Sequence, residues 1–292
     1  MLCRIGDVEV WRILESNDPF KTPEELFPEA GPDVRDIIQA HVPGACCAQS
    51  GKLILPVQGF LLKTPDHLIL VDACVGNDKT VPSMPEWHQR KGTRFMSSLA
   101  AAGATVDDVN YVLCTHLHTD HIGWNTQLID GRWVPTFPNA TYMLPEADDE
   151  FFSKHAGTAY EESVLPVVEA GQSERVSAGH MLGDYVSLIA TPGHTPGHVS
   201  VLIKSSGAEA VITGDALHTT AQLAHPEWHF KYDMDGAQAV ASRRTLLGEA
   251  SERNQRVLGS HFQLPSIGRV RAKGDAFEWD ADYTQSPRAP DF

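Results

Sequence analysis

A chain of 292 residues with 42% hydrophobic and 21% charged side chains has enough apolar surface for a sizeable core, which excludes an intrinsically disordered protein. The formal net charge of −15 argues against a nucleic-acid partner, because a phosphate-binding surface needs clustered lysine and arginine. No apolar run approaches the ~18 residues of a membrane span, and Met1–Asp7 lacks the apolar core of a signal peptide, so a cytoplasmic protein acting on a neutral or weakly charged small molecule is expected.

Val8–Leu14 alternates apolar and polar residues and reads as a first strand. From Glu15 to Gly51 the prolines 19, 23, 28, 32 and 43 interrupt any regular element. This predicts a long excursion with one or two short helices, serving as a lid, a homodimer contact or a plain surface loop. Leu53–Lys63, broken at Pro56, and His67–Asp72 form a hairpin around Thr64-Pro65-Asp66. Asp72 then ends a strand, where it either orients a ligand histidine or caps its own loop. The five cysteines, Cys3, Cys46, Cys47, Cys74 and Cys114, show no CxxC spacing and read as reduced thiols.

Thr93–Ala102 reads as a helix stopped by Gly103, and Thr105–Asp108 as a capping box. The apolar run Val109–Cys114 then delivers Thr115-His116-Leu117-His118-Thr119-Asp120-His121, three imidazoles and a carboxylate in six positions. In an extended segment His116 and His118 project to one side, while Asp120 and His121 can turn toward a second point as the strand ends. That density marks a metal site rather than a polar loop.

Downstream, Ala140–Leu144 reads as a strand and Pro145–Phe152 as a helix. Lys154–Gly183 is less regular, with a helix near Glu161–Ala170 despite Pro166, and is expected to line the site and set specificity together with the 15–51 excursion. Tyr185–Ala190 runs into Gly193-His194, Val199–Lys204 is another strand, and Ala210–Thr213 runs into Gly214-Asp215. The helix Asp235–Glu252 leads to Arg256–Ser260 and His261, and the tail after Trp279 is expected to drape over the surface. Four strand ends thus deliver histidine or aspartate, as active sites on α/β scaffolds are assembled.

If these ends converge, His116, His118 and His194 serve one metal, Asp120, His121 and His261 a second, and Asp215 bridges them. Such a pair holds a hydroxide ionised near neutral pH, which makes hydrolysis the natural chemistry. The donors are all nitrogen and oxygen, so two zinc ions are the default, with manganese, cobalt or iron as alternatives.

The string His116-Leu117-His118-Thr119-Asp120-His121, followed by Gly193-His194, Gly214-Asp215 and His261, resembles the metallo-β-lactamase superfamily of dinuclear hydrolases. The resemblance runs from Val8 to about Trp279, and the chain is read as one domain over 1–292. It implies a four-layer αβ/βα sandwich of two mixed sheets with outer helices and metals at one edge. Within the superfamily, aspartate rather than cysteine at 215 makes a penicillin substrate less fitting. Acyl-homoserine lactonases commonly carry tyrosine three residues after the bridging aspartate; His218 stands there. The segments Gly214–His218 and His261–Pro265 look more like the methyl parathion hydrolase branch.

The expected function is a bridging-hydroxide hydrolase acting on a lactone or ester of a small, fairly apolar substrate. Phosphotriesters are the first alternative; a thioesterase, a β-lactamase or a non-catalytic metal-binding protein follow. Asp120 is expected to orient the hydroxide as well as bind metal. His218 either donates to the attacked or leaving oxygen or merely orients Asp215. His198 is read as a brace for the His194 loop, and Trp124, Trp228, His229 and Phe262 as pocket wall or core.

Overall fold

The computed structural model describes residues 1–155 and 157–283. One seven-stranded sheet contains β1 (Cys3–Ile5), β2 (Val8–Pro19), β3 (Ile54–Lys63), β4 (Leu68–Val71) and β5 (Tyr111–Leu113). After a separate hairpin of β6 (Thr126–Ile129) and β7 (Arg132–Pro135), β8 (Thr141–Pro145) and β9 (Ser173–Val176) complete it. The second sheet holds β10 (Met181–Leu182), β11 (Val186–Ala190), β12 (Val199–Ser205), β13 (Ala208–Ile212), β14 (Arg256–Leu258), β15 (Ile267–Lys273) and β16 (Ala276–Ala281) in sequence order.

Each sheet opens with three antiparallel pairings and then turns parallel, at β4–β5 in the first and β13–β14 in the second. Parallel neighbours end at the same edge, and ligands bind beyond such carboxyl ends. The loops after β4, β5, β13 and β14 therefore carry Asp72, the histidine cluster, Asp215 and His261. The loop after β11, which runs the same way as β13, carries His194.

Strand alternation sorts the apolar residues into layers. Ile69, Val71, Leu113, Ile212 and Leu258 point into the core between the sheets. Leu70 and Val112 point the other way, onto the helices Val34–His41 and Arg94–Ala101. On the far side, Val211 and Val257 meet Leu246, Leu247 and Ala250 of the helix Gly236–Glu252. This is the expected four-layer αβ/βα sandwich. No helix among the described residues is long and apolar enough to cross a membrane.

Several local expectations are corrected. The first strand continues through a register shift to Pro19, so the excursion begins at Phe20 rather than Glu15. Glu15 is buried because its carboxylate accepts from Val75 N, Gly76 N and Trp124 Nε1 at 2.9, 3.2 and 2.7 Å. Pro56 does not break β3. The helix around 161–170 is two, Thr158–Ser163 and Leu165–Glu169, with Pro166 in the second helix's first turn, where its missing N–H costs nothing. The β6–β7 hairpin and β15–β16 were not anticipated. The tail expectation falls on β16 up to Ala281 and beyond that lies largely outside the described residues.

The loop after β4 is laced to the histidine segment. Ala73 N donates to His121 O, Gly123 N to Cys74 O and Trp124 N to Ala73 O, each at 2.7 Å. A Cβ on Gly123 would lie 1.7 Å from Val75 O, so only glycine permits this approach. Gly123→Ala is expected to cost about 1–3 kcal/mol as forced overpacking, lowering Tm by several degrees in thermal melts; an unchanged Tm would contradict this lacing.

Candidate metal centre

The strand ends converge. His116 Nε2 lies 3.1 Å from His118 Nδ1, which lies 2.9 Å from His194 Nε2. His261 Nε2 stands 3.3 Å from His121 Nε2 and 3.4 Å from Asp120 Oδ2. Asp215 divides its carboxylate between the groups: Oδ2 is 3.3 Å from His194 Nε2, while Oδ1 is 3.2 Å from His261 Nε2 and 3.3 Å from His121 Nε2. All seven sequence-derived ligand candidates are thus brought together, nearly all of them buried. The extended backbone at His118 gives way at once to a short helix, Thr119–Ile122, which swings Asp120 and His121 toward the second group.

The far nitrogens of the rings explain their aim. His121 Nδ1 donates to Asp72 Oδ2 (2.9 Å), His194 Nδ1 to Asp233 Oδ1 (2.7 Å) and His261 Nδ1 to Pro56 O (2.7 Å). Each bond keeps a proton on the far nitrogen, so that in the neutral ring the Nε2 lone pair faces the centre. His116 Nδ1 lies 3.1 Å from Thr115 Oγ1. Of the two readings for Asp72, the contact found is the one that would orient His121. Its carboxylate also accepts from Thr115 N and Oγ1 at 2.8 and 2.9 Å, which holds Asp72 at φ 61°, a left-handed conformation costly for a non-glycine residue.

Without a cation, imidazoles balance the buried carboxylates: burial opposes charging of His121 and His261, but Asp215 overcomes it and holds both above the usual histidine range. Burial, reinforced by neighbouring imidazoles, keeps His116 and His118 far below the usual histidine range, so both hold free lone pairs. Burial also opposes charging of His194, but Asp215 and Asp233 overcome it and raise its pKa to about 9. Asp215 Oδ1 is buried and accepts no hydrogen bond from a described residue. An anionic oxygen left this way is costly. Imidazole nitrogen with carboxylate oxygen is a donor set for zinc and similar divalent ions, so these residues fit such a group.

His218 places Nε2 3.1 Å from Asp215 Oδ2 and stacks on Phe230 with centroids 3.6 Å apart. His198 accepts from Asp215 N at 2.9 Å and contacts Thr191 Oγ1 at 2.8 Å, so it braces the Asp215 turn as well as the His194 loop. A cleft of about 110 Å³ opens over the centre, walled by Phe20, Leu55, Met84, Trp87, Phe230 and Tyr232.

Of the two readings for the aromatics flanking the ligand candidates, core is the one found for Trp124, Trp228 and Phe262. Trp124 stacks on Phe95, Trp228 on His225, and Phe262 packs on Trp279, all away from the cleft. His229 lies 3.5 Å from Glu29. No described residue of 154–183 lines the cleft, and the 15–51 region supplies only Phe20. Sequence reasoning missed Met84, Trp87 and Tyr232, which sit in irregular segments, and Asp233. Its only available signal was proximity to the helix start at Asp235.

If the clustered donors hold cations, adding zinc to chelator-stripped protein is expected to raise Tm. Each site saturated at ~100 Kd would contribute about 2.7 kcal/mol. An unchanged melting curve at excess zinc would argue against metal binding.

Comparison with known proteins places this geometry in a family. The profile of the metallo-beta-lactamase superfamily matches residues 54–261. An N-acyl homoserine lactonase from Bacillus sp. is 31% identical over 191 residues, spanning 58% of this chain and 67% of that protein. The N-acyl homoserine lactonase AttM of Rhizobium radiobacter is 28% identical over 187 residues, spanning 56% and 66%. Two solved structures share the fold over 97% of both chains: hydrolase AbOPH in the beta lactamase superfamily (TM-score 0.82, 24% identity) and the dizinc quorum-quenching lactonase AidC with a product (TM-score 0.81, 20% identity). Both of these relatives are named as lactonases, so the leaning toward the methyl parathion hydrolase branch is not carried forward. The family profile spans every ligand candidate from His116 to His261, and the chain belongs to the metallo-beta-lactamase superfamily of hydrolases.

Proposed function

We propose that this chain is a dinuclear metal hydrolase that opens the ring of a small acyl lactone. The observation that carries the reading is Asp215, whose two oxygens face two separate ligand groups beneath an apolar cleft. The similarity to N-acyl homoserine lactonases supports the substrate class.

One ion would be held by His116, His118, His194 and Asp215 Oδ2, the other by Asp120, His121, His261 and Asp215 Oδ1. When bound, two divalent ions supply a nucleophile ionised at neutral pH and positive charge for the oxygen that becomes anionic in ester cleavage. Zinc is the first metal to test.

The chain's own residues do the rest. Phe20, Met84, Trp87, Phe230 and Tyr232 bind the acyl group by burying apolar surface and keep bulk water from the centre. Asp120 lines the cleft and is the carboxylate placed to orient the attacking water and take its proton. His218, with Nε2 on Asp215 Oδ2 and its ring clamped by Phe230, acts chiefly by holding Asp215 in its two-sided pose. Net hydrolysis adds water across the ring C–O bond and releases a hydroxy acid.

The test is a panel of lactones, esters, thioesters and phosphotriesters on metal-reconstituted protein. Acyl homoserine lactones are expected to be the best substrates. His116→Ala and Asp215→Ala are expected to lose about 10²–10³-fold or more in kcat and to bind fewer than two ions with secondary structure retained. Full activity in either variant sinks the reading; preference for phosphotriesters moves it to that substrate class.

A further inference from the structure

Beneath the cleft lies a buried charge pair that the reaction scheme does not use. Asp233 and Arg243 have fully buried side chains. The Asp233 carboxylate is split: Oδ1 accepts from His194 Nδ1 and Oδ2 from Phe230 N, both at 2.7 Å. One oxygen therefore aims a ligand histidine, and the other fixes the backbone of the ring that stacks on His218 and walls the cleft.

Arg243, on the helix Gly236–Glu252, stands 3.7 Å from Asp233 Oδ2, too far for a hydrogen bond but close enough to balance its charge. Its guanidinium donates instead to three carbonyls: Ala216 O at 2.7 Å, Pro226 O at 2.9 Å and Trp228 O at 2.6 Å. Ala216 follows Asp215, and Pro226 and Trp228 precede the wall residues Phe230 and Tyr232. The fork thus spans the Asp215 turn and the wall segment. The same helix reaches the His194 loop, where Ser242 Oγ donates to Pro192 O at 2.6 Å. Gln222 repeats the tie, accepting from His218 N and donating to Trp228 O.

We propose that Asp233 and Arg243 are positioning residues: Asp233 aims His194 and anchors the cleft wall at Phe230, and Arg243 fixes the shape of that wall. This rests on the dinuclear lactonase reading, but its main test does not need turnover.

The isosteric variant Asp233→Asn is diagnostic, because an amide offers one acceptor oxygen and two donor hydrogens. Both native partners, His194 Nδ1–H and Phe230 N–H, are donors, so asparagine must break one bond. Arg243→Lys keeps the charge and loses the fork that spans three carbonyls. Zinc affinity is measured by chelator competition, and kinetics at saturating zinc. Asp233→Asn is expected to weaken one of the two ions by about 10–100-fold and leave the other within about threefold. Arg243→Lys is expected to raise the lactone KM by about tenfold with kcat little changed, the pattern of lost binding rather than lost chemistry.

Unchanged affinities for both ions in Asp233→Asn, or an equal fall in both, overturns the proposal; so does a KM within twofold of wild type in Arg243→Lys. If Asp233→Asn does not fold, Asp233→Glu, which keeps both acceptors but moves them by a methylene, must show the same split between ions. Wild-type protein that binds two ions but opens no lactone sinks the functional reading alone, leaving the ion measurements to judge this one. Wild type with fewer than two ions sinks both.

Discussion

The structure depends on one constraint: five imidazoles and two carboxylates must be aimed at a common buried space, in which Asp215 Oδ1 meets no hydrogen-bond donor among the described residues. Three of the rings are turned by an acceptor on the far side, Asp72 for His121, Asp233 for His194 and a backbone carbonyl for His261. These acceptors must themselves be held, which is why Asp72 takes two further donors and Asp233 one. The stable sandwich supplies the rigid strand ends from which such a layered arrangement can be built.

The ligand candidates were legible in the sequence because each follows an apolar run. Alternation placed β5, β11, β13 and β14, and the loop after each began with histidine or aspartate within a few residues. The layer order followed from the family resemblance and agrees with the sorting of Leu70 and Ile69 to opposite faces. What was not legible depends on pairing across long separations. Glu15 looked like the start of a polar excursion because its partners, Val75, Gly76 and Trp124, lie 60 or more residues away. Arg243 looked like one more charge on a helix, although its three carbonyls bury it completely.

The cleft wall shows the same limit. Trp124, Trp228 and Phe262 adjoin ligand segments in sequence, yet each finds an aromatic partner away from the cleft. The rings that reach the cleft come from segments without periodicity, Phe20 stacked on Trp87 and Phe230 stacked on His218. Nearness along the chain is a poor guide to a surface assembled from several loops.

Each ligand group draws on both halves of the chain. His118 and His194 are 76 residues apart and belong to loops of different sheets; His121 and His261 are 140 residues apart and do likewise. An ion held by either group would therefore act as a cross-link between the two sheets, closing a long loop as a disulfide does and removing freedom from the unfolded chain. A protein with five free cysteines and no disulfide among its described residues would then carry two removable cross-links of its own, whose presence depends on metal supply rather than on redox state.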